Sequence, residues 1–399
     1  MARILVLCSR LPYPLTGGAK LRMFYTACEL AREHDVELLV VDEAPVDDTA
    51  VAKLESVFAD VHVFSYPSYR FYLNTIPGLF SRHPLQAHYF HFGAVDAWLD
   101  EHEHRFDLLY CNHVRTTEYV QDRSTPKVVD LVDAISRNYR EASQDSTGLW
   151  RFIYPLEWRR LRRYERRVVE TFDRSFIITN ADRSFIAEGA SYPSLSVLPN
   201  GVKPELLERK PTALRAVESG PTLVFLGKMD YFPNEDAAIY FASEVFPLVR
   251  ETYPAAEFLV VGSSPSDKVT VLDDIPGVTV TGFVENPREY LNLADVVVAP
   301  MRHGAGLQNK VLEAMALSRP IVVTSLAREG IKADNGRHLV VADNPQSFAA
   351  ETTGLLSDVE RRRRIGYAAR DIVRSHYTWE RVGKRLREAV REILELSRE

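Results

Sequence analysis

Short runs of valine, isoleucine and leucine, each followed by a helical pattern, recur along the chain and leave few folds open to it. Residues 3–8 predict a strand, 21–32 a helix, 36–41 a strand and 49–57 a helix. Further strands are predicted at 61–64, 108–110, 127–131, 175–179 and 194–198. A strand buried on both faces reads as one apolar run, whereas a half-exposed strand alternates apolar and polar residues. These runs are of the first kind, and the intervening helices supply the two covering layers of a parallel sheet. The plan then repeats, with strands predicted at 222–226, 257–261, 278–281, 296–299, 321–323 and 338–340. Its helices are predicted at 236–252, 287–294, 311–317 and 345–356.

A chain of 399 residues exceeds one ordinary core, so the repetition implies two α/β domains, each doubly wound. The first is expected over 1–202, closing at Pro199-Asn200-Gly201-Val202, and the second over 203–378, entered through a mixed-charge stretch at 203–220. Residues 379–399 predict an amphipathic helix with Val382, Leu386, Val390 and Leu394 on one face. It either crosses back into the crease between the domains or packs on its own domain. In doubly wound sheets ligands bind outside the strand C-termini, so a central cleft facing both sets of C-termini is the expected site.

Composition removes several classes of function. The formal charge of −6 opposes nucleic-acid binding, which needs a basic footprint. Cys8, Cys28 and Cys111 show no C-x-x-C spacing and fit buried roles in a reducing compartment. No window approaches the ~20 apolar residues of a membrane span. The first apolar run is too short for a signal-peptide core. The expected location is cytoplasmic, at most peripheral at the inner face of the membrane.

The stretch 301–324 carries the most chemistry. Gly304 and Gly306 follow a predicted strand and let the backbone approach a ligand; a helix then starts near Val311. A helix N-terminus attracts phosphate, Lys310 adds a cation, and Glu313 can accept hydrogen bonds from a vicinal diol such as ribose. A plain strand–turn–helix explains the same residues. Gly227-Lys228 through Asn234 follows the first strand of the second half, where Lys228 can meet phosphate or solvent.

In the first half, Gly17 and Gly18 open a helix after the first strand, exposing backbone N–H groups. His113 and Arg115 follow another strand, and His113 can hydrogen-bond a hydroxyl or assist a proton. Asp130 and Asp133 end a strand; both can face a cleft, and Asp133 reads best as a helix cap. His83, His88, His91, His102 and His104 cluster without metal-ligand spacing, and no D-x-D triplet occurs. Residues 69–92 and 150–167 are rich in aromatics with arginine, a pattern suited to an anionic headgroup zone or to a plain helix flank.

Taken in chain order, the motifs resemble those of GT-B glycosyltransferases, specifically glycosyltransferase family 4. The carriers are P-x-x-G-G near the start, L-P-N-G-V at 198–202, F-L-G-K-M-D-Y-F-P-N at 225–234, V-V-G-S at 260–263, G-F-V-E-N at 282–286 and G-L-Q-N-K-V-L-E-A-M-A at 306–316. The last is similar to bacterial transferases of exosortase and exopolysaccharide loci. The resemblance implies two Rossmann-like domains and transfer of a sugar from a nucleotide-diphosphate sugar, with retention and with neither metal nor cofactor. The acceptor would be a glycan, a lipid-linked or a small molecule.

The resemblance also assigns roles. Glu313 matches a ribose-binding glutamate, Lys228 and Lys310 match diphosphate contacts, and His113 is near a histidine that contacts the transferred sugar. The donor set it implies is Gly227, Lys228, Asn234, Arg302, His303, Gly304, Gly306, Gln308, Asn309, Lys310, Val311 and Glu313. Gly17, Gly18, His113, Arg115 and Asp133 would serve the acceptor side, with His113, Glu313 and Lys228 nearest the chemistry. The chain departs from the pattern at Ala305, where the family has a sugar-contacting glutamate, and at Asn234, near an expected cation. Arg302 or His303 is the substitute expected for that glutamate. An epimerase on the same fold and a non-catalytic nucleotide-binding protein are the competing functions.

Overall fold

The computed structural model describes every residue except Thr16, Ala44, Ser146, Thr147, Leu149, Arg209, Glu218, Ser219, Ala305, Arg398 and Glu399. The chain divides into two compact units, 1–200 with 379–399, and 201–378.

The first unit holds a seven-stranded parallel sheet in the order β3-β2-β1-β4-β5-β6-β7. Its strands are β1 (Arg3–Cys8), β2 (Asp35–Asp42), β3 (Asp60–Ser65), β4 (Leu108–Asn112), β5 (Lys127–Asp130), β6 (Arg174–Ile177) and β7 (Leu195–Val197). Ile4 to Cys8 of β1 and all of β4 are buried, which is why both read as continuous apolar runs. Two apolar clusters, one on each face, make the unit doubly wound. The register pairs Cys8 with Asn112 and Asn112 with Asp130, so β1, β4 and β5 end level with one another.

The helix Trp379–Leu396 completes this unit. Val382, Leu386 and Val390 are buried in the cluster that also contains Met23, Ala27 and Leu30 of the helix Gly18–Ala31. Trp379 stacks on Tyr25 at 5.0 Å, and Arg387 and Arg391 pair with Glu33 at 3.0 and 2.9 Å. Of the two packings expected, the helix does not pack on the domain that precedes it; it crosses back, and its apolar face belongs to the first unit.

The second unit holds six parallel strands in the order β10-β9-β8-β11-β12-β13. These are β8 (Thr222–Leu226), β9 (Glu257–Val261), β10 (Val278–Gly282), β11 (Val296–Ala299), β12 (Ile321–Val323) and β13 (Val340–Val341). The stretch 203–220, which reads as a linker, is lashed down by arginines. Arg370 donates to the Leu206 and Leu207 carbonyls, Arg319 to Thr212, and Arg362 to Arg215. Arg362 and Arg319 are buried at the N-terminal end of β11, where Asp295 also holds Arg215 at 3.0 Å and the Thr222 N–H at 2.9 Å. No helix among the described residues is long and apolar enough to cross a membrane.

Candidate functional site

In both sheets the strand order reverses direction beside the first strand, between β1 and β4 and between β8 and β11. Connections leave such a pair of strands toward opposite faces, and the crevice at their C-terminal ends is where ligands bind in this architecture. The loops singled out in the sequence follow these four strands.

In the second unit β8 leads into Gly227–Asn234 and β11 into Met301–Gln308, followed by the helix Asn309–Ala316. Gly304 and Gly306 have φ of 98° and 86°, which an L-residue adopts only with strain. Thr324 donates to the Met301 carbonyl at 2.6 Å and pins the start of this loop to the end of β12. The helix buries Val311, Leu312, Ala314 and Met315, which leaves Lys310 and Glu313 half-buried at its N-terminal turn.

Lys310 is held tightly. Its Nζ donates to Asn234 Oδ1 at 2.5 Å, touches Met301 Sδ at 3.6 Å and stands 4.4 Å from the centre of the Phe225 ring. Burial lowers its pKa to about 7, against the opposing pull of Glu313. Asn234 in turn donates through Nδ2 to the Lys228 carbonyl at 2.9 Å. A position that reads as a missing cation therefore ties the loop after β8 to the first turn of the helix Asn309–Ala316. Glu313 has its pKa raised by burial, partly offset by Lys203 and Lys310.

Two glycines make this packing possible. A Cβ on Gly227 would lie 2.8 Å from Asn234 Cγ, and one on Gly262 would lie 1.6 Å from the Gly227 carbonyl oxygen. Gly262 and Phe225 sit inside quoted motifs, yet no role for either follows from the sequence; the partner of each is a residue far along the chain.

Other predicted donor residues are placed differently. Lys228 is largely exposed and pairs with Asp230 at 2.8 Å. Arg302 makes a two-pronged contact with Asp236 at 3.0 and 2.6 Å and lies over the Tyr240 ring. His303 lies against Phe232, 5.1 Å between rings, and 3.8 Å from Asp236. Both side chains thus turn toward the helix Phe232–Tyr240. Ala305, which limits the sugar-side expectation, is outside the described residues. Val311 is buried, its side chain turned into the core of the second unit.

In the first unit Gly17, at φ 83° and with open space beside it, precedes the helix that starts at Gly18. His113 follows β4 with φ 77°, and its N–H donates to the Asp130 carbonyl at 2.7 Å. Burial, with Arg115 and Arg10 nearby, pushes its pKa well below the usual histidine value. The imidazole is therefore neutral at pH 7, and Nδ1 is buried without a protein partner. A neutral ring with an uncommitted nitrogen suits a hydroxyl. Arg115 donates to Gln86 at 2.7 Å, and burial lowers its pKa to about 10.

Asp133 does not cap the next helix. Its carboxylate accepts from Asn138 at 2.6 Å, while the Ser136 N–H goes to Glu165. Asp130, expected from sequence to face a cleft or cap a helix, is fully buried with Arg22, which also donates to Asn200 at 2.9 Å and to the Leu198 carbonyl at 2.9 Å. This brace joins the first helix, the His113 turn and the end of the unit. Among the described residues Glu37, Asp60 and His62 bring three ligating atoms together, but Arg105 at 3.2 Å and Arg3 at 3.8 Å already neutralise Glu37.

Two doubly wound parallel sheets, each with its loops gathered at the switch point, define the GT-B class of glycosyltransferase folds. Residues 220–358 match the family described as "Glycosyl transferases group 1". It is 21% identical, over 96% of its own length and 98% of the other's, to a Klebsiella pneumoniae protein described as "Uncharacterized 44.6 kDa protein in cps region". It is 26% identical to the phosphatidyl-myo-inositol mannosyltransferase of Mycobacterium leprae over 47% of this chain and 51% of that one. It is also similar to the structure of Anabaena HepE in complex with UDP-glucose, with a TM-score of 0.69 and 16% identity over 98% of this chain and 100% of that one. At that identity the likeness is one of fold.

Proposed function

We propose that the protein moves a sugar from a nucleotide-diphosphate sugar to a glycan, lipid-linked or small-molecule acceptor, as a family 4 glycosyltransferase of cell-surface polysaccharide synthesis. The observation that carries this is the pairing of Lys310 and Glu313 on one N-terminal turn, at the switch point of the second sheet. Lys310 and the helix N-terminus suit a diphosphate, and Glu313 suits the two hydroxyls of a ribose. The UDP-glucose named for HepE and the cps region named for the Klebsiella relative support the donor class and the pathway.

In the proposed reaction the acceptor oxygen bonds to the anomeric carbon as the bond from that carbon to the diphosphate breaks. The acceptor proton passes to the departing phosphate oxygen, so no strong protein base is needed for transfer with retention. Lys310, Lys228 and the helix N-terminus stabilise the developing charge in place of a metal. Neutral His113 positions a sugar hydroxyl.

Incubation with UDP-, GDP- and dTDP-sugars and a cell-lipid or glycan acceptor tests the reading, with transfer or slow donor hydrolysis expected. A changed sugar formed from donor alone would make the protein an epimerase, and binding without turnover on any donor a nucleotide-binding partner. Glu313→Ala should weaken nucleotide binding by about 1–3 kcal/mol by calorimetry, with the melting curve preserved. Unchanged affinity in the folded variant would remove the ribose role.

A further inference from the structure

The helix Ser68–Gly78 is apolar on two sides. Phe71 faces inward and is fully buried against Phe90 and Phe92. Tyr69, Leu73, Ile76 and, just beyond the helix, Phe80 fall at helical spacing on the outside, with Ile76 52% and Phe80 91% exposed. One inward ring row explains why the helix packs; the outer row stays exposed among the described residues.

A second outward row lies on the long helix Trp150–Thr171. Phe152 and Leu156 are exposed at its start, followed on the same face by exposed Arg159, Arg163 and Arg167. Arg160 joins the two helices, donating to the Gly78 carbonyl at 3.2 Å and to that of Leu79 at 3.4 Å. Of nineteen large apolar side chains exposed among the described residues, nine fall in these two segments. That concentration separates the region from the scattered apolar exposure of ordinary surfaces.

Charge decides what the face fits. Residues 61–95 contain no carboxylate, in a chain whose formal charge is −6. On the long helix Glu157 and Glu165 are buried, tied to Arg160 and Ser136, and Glu170 is exposed only at its far end; Arg151, Arg159, Arg163 and Arg167 are exposed, while Arg162 and Arg166 pair with Glu188. Arg140 and Arg159 stand over the Trp158 ring at 5.8 and 5.0 Å, placing cations beside an aromatic surface. Exposed aromatic and aliphatic side chains bordered by arginine match the boundary between headgroups and acyl chains of an anionic bilayer. A protein partner of the same chain would set these arginines against their own copies.

We propose that this face of the first unit docks on an anionic membrane surface. The inference is independent of sugar transfer. The full chain should sediment with vesicles of phosphatidylcholine containing phosphatidylglycerol, and much less with phosphatidylcholine alone. The double substitutions Ile76→Asp with Phe80→Asp, and Arg159→Glu with Arg163→Glu, should each lower the vesicle-bound fraction by about tenfold or more. Nucleotide binding and the melting temperature report that each variant is folded, and the two sets touch different residues, so failure of one to fold leaves the other decisive. No sedimentation with anionic vesicles would overturn the proposal. So would binding that ignores both phosphatidylglycerol and the substitutions, or a dimer in velocity sedimentation that the same substitutions dissolve without any vesicle binding.

Discussion

The Lys310 ammonium lies between Asn234 Oδ1 and the Phe225 ring, and burial lowers its pKa to about 7. An unfolded lysine titrates near 10.4, so folding at pH 6 confines a cation that the unfolded chain solvates freely. That penalty is complete below pH 7 and fades as pH rises toward the unfolded value. Lys310→Met should therefore raise the melting temperature of the nucleotide-free protein, more at pH 6 than at pH 9. The same substitution should weaken nucleoside diphosphate binding, because the anion's partner is gone. In the unsubstituted protein a bound diphosphate draws a proton onto Lys310, so affinity should fall by about tenfold per pH unit above 7 until the bound pKa is reached. Calorimetry in two buffers of different ionisation enthalpy measures the uptake; equal heats would show that Lys310 is already fully charged.

The loops around that lysine depend on glycine for two different reasons. At Gly262 the obstacle is space, since a Cβ would overlap the Gly227 carbonyl; at Gly306 space is open and only φ is demanding. Gly262→Ala should cost about 3 kcal/mol or more and disturb nucleotide binding, while Gly306→Ala should cost about 1–2 kcal/mol, both read by urea denaturation. Strands of this kind were legible in the sequence residue by residue: 3–8, 222–226, 257–261, 296–299 and 321–323 are predicted and found at the same bounds. Burial on both faces writes itself into local composition. The helix Val359–His376 was not predicted; a run of arginines does not by itself mark a buried face. Arg362 and Arg370 are instead buried on carbonyls of 206–215, about 150 residues earlier in the chain. The helix predicted at 236–252 also widens at 241–245, where Pro247 lacks an N–H and its ring would clash with the carbonyl four residues back. In the candidate site the glycines and Lys310 were legible as types. The Asn234 link and the Arg22–Asp130 brace were not, since each joins residues with no local pattern between them.

At the scale of the molecule, the first unit is interrupted by the whole of the second. Trp379, Val382, Leu386, Val390, Ile393 and Leu394 are all buried in it. At about 1.5–3 kcal/mol for each such side chain, their burial is comparable to the ~5–15 kcal/mol that holds a typical domain folded. A chain stopped at Thr378 should keep nucleotide binding and the melting transition of its second unit. Its first unit should become open to protease, and a peptide of residues 379–397 added in trans should restore protection. Protection without the peptide would show that the helix is dispensable. The same discontinuity has a consequence for synthesis. On the ribosome the early sheet emerges first but lacks one wall, and the segment that supplies it is translated only after the complete second unit. The second unit can fold as soon as it is made, whereas the first must wait with Met23, Ala27 and Leu30 uncovered. The order of completion is thus the reverse of the order of translation.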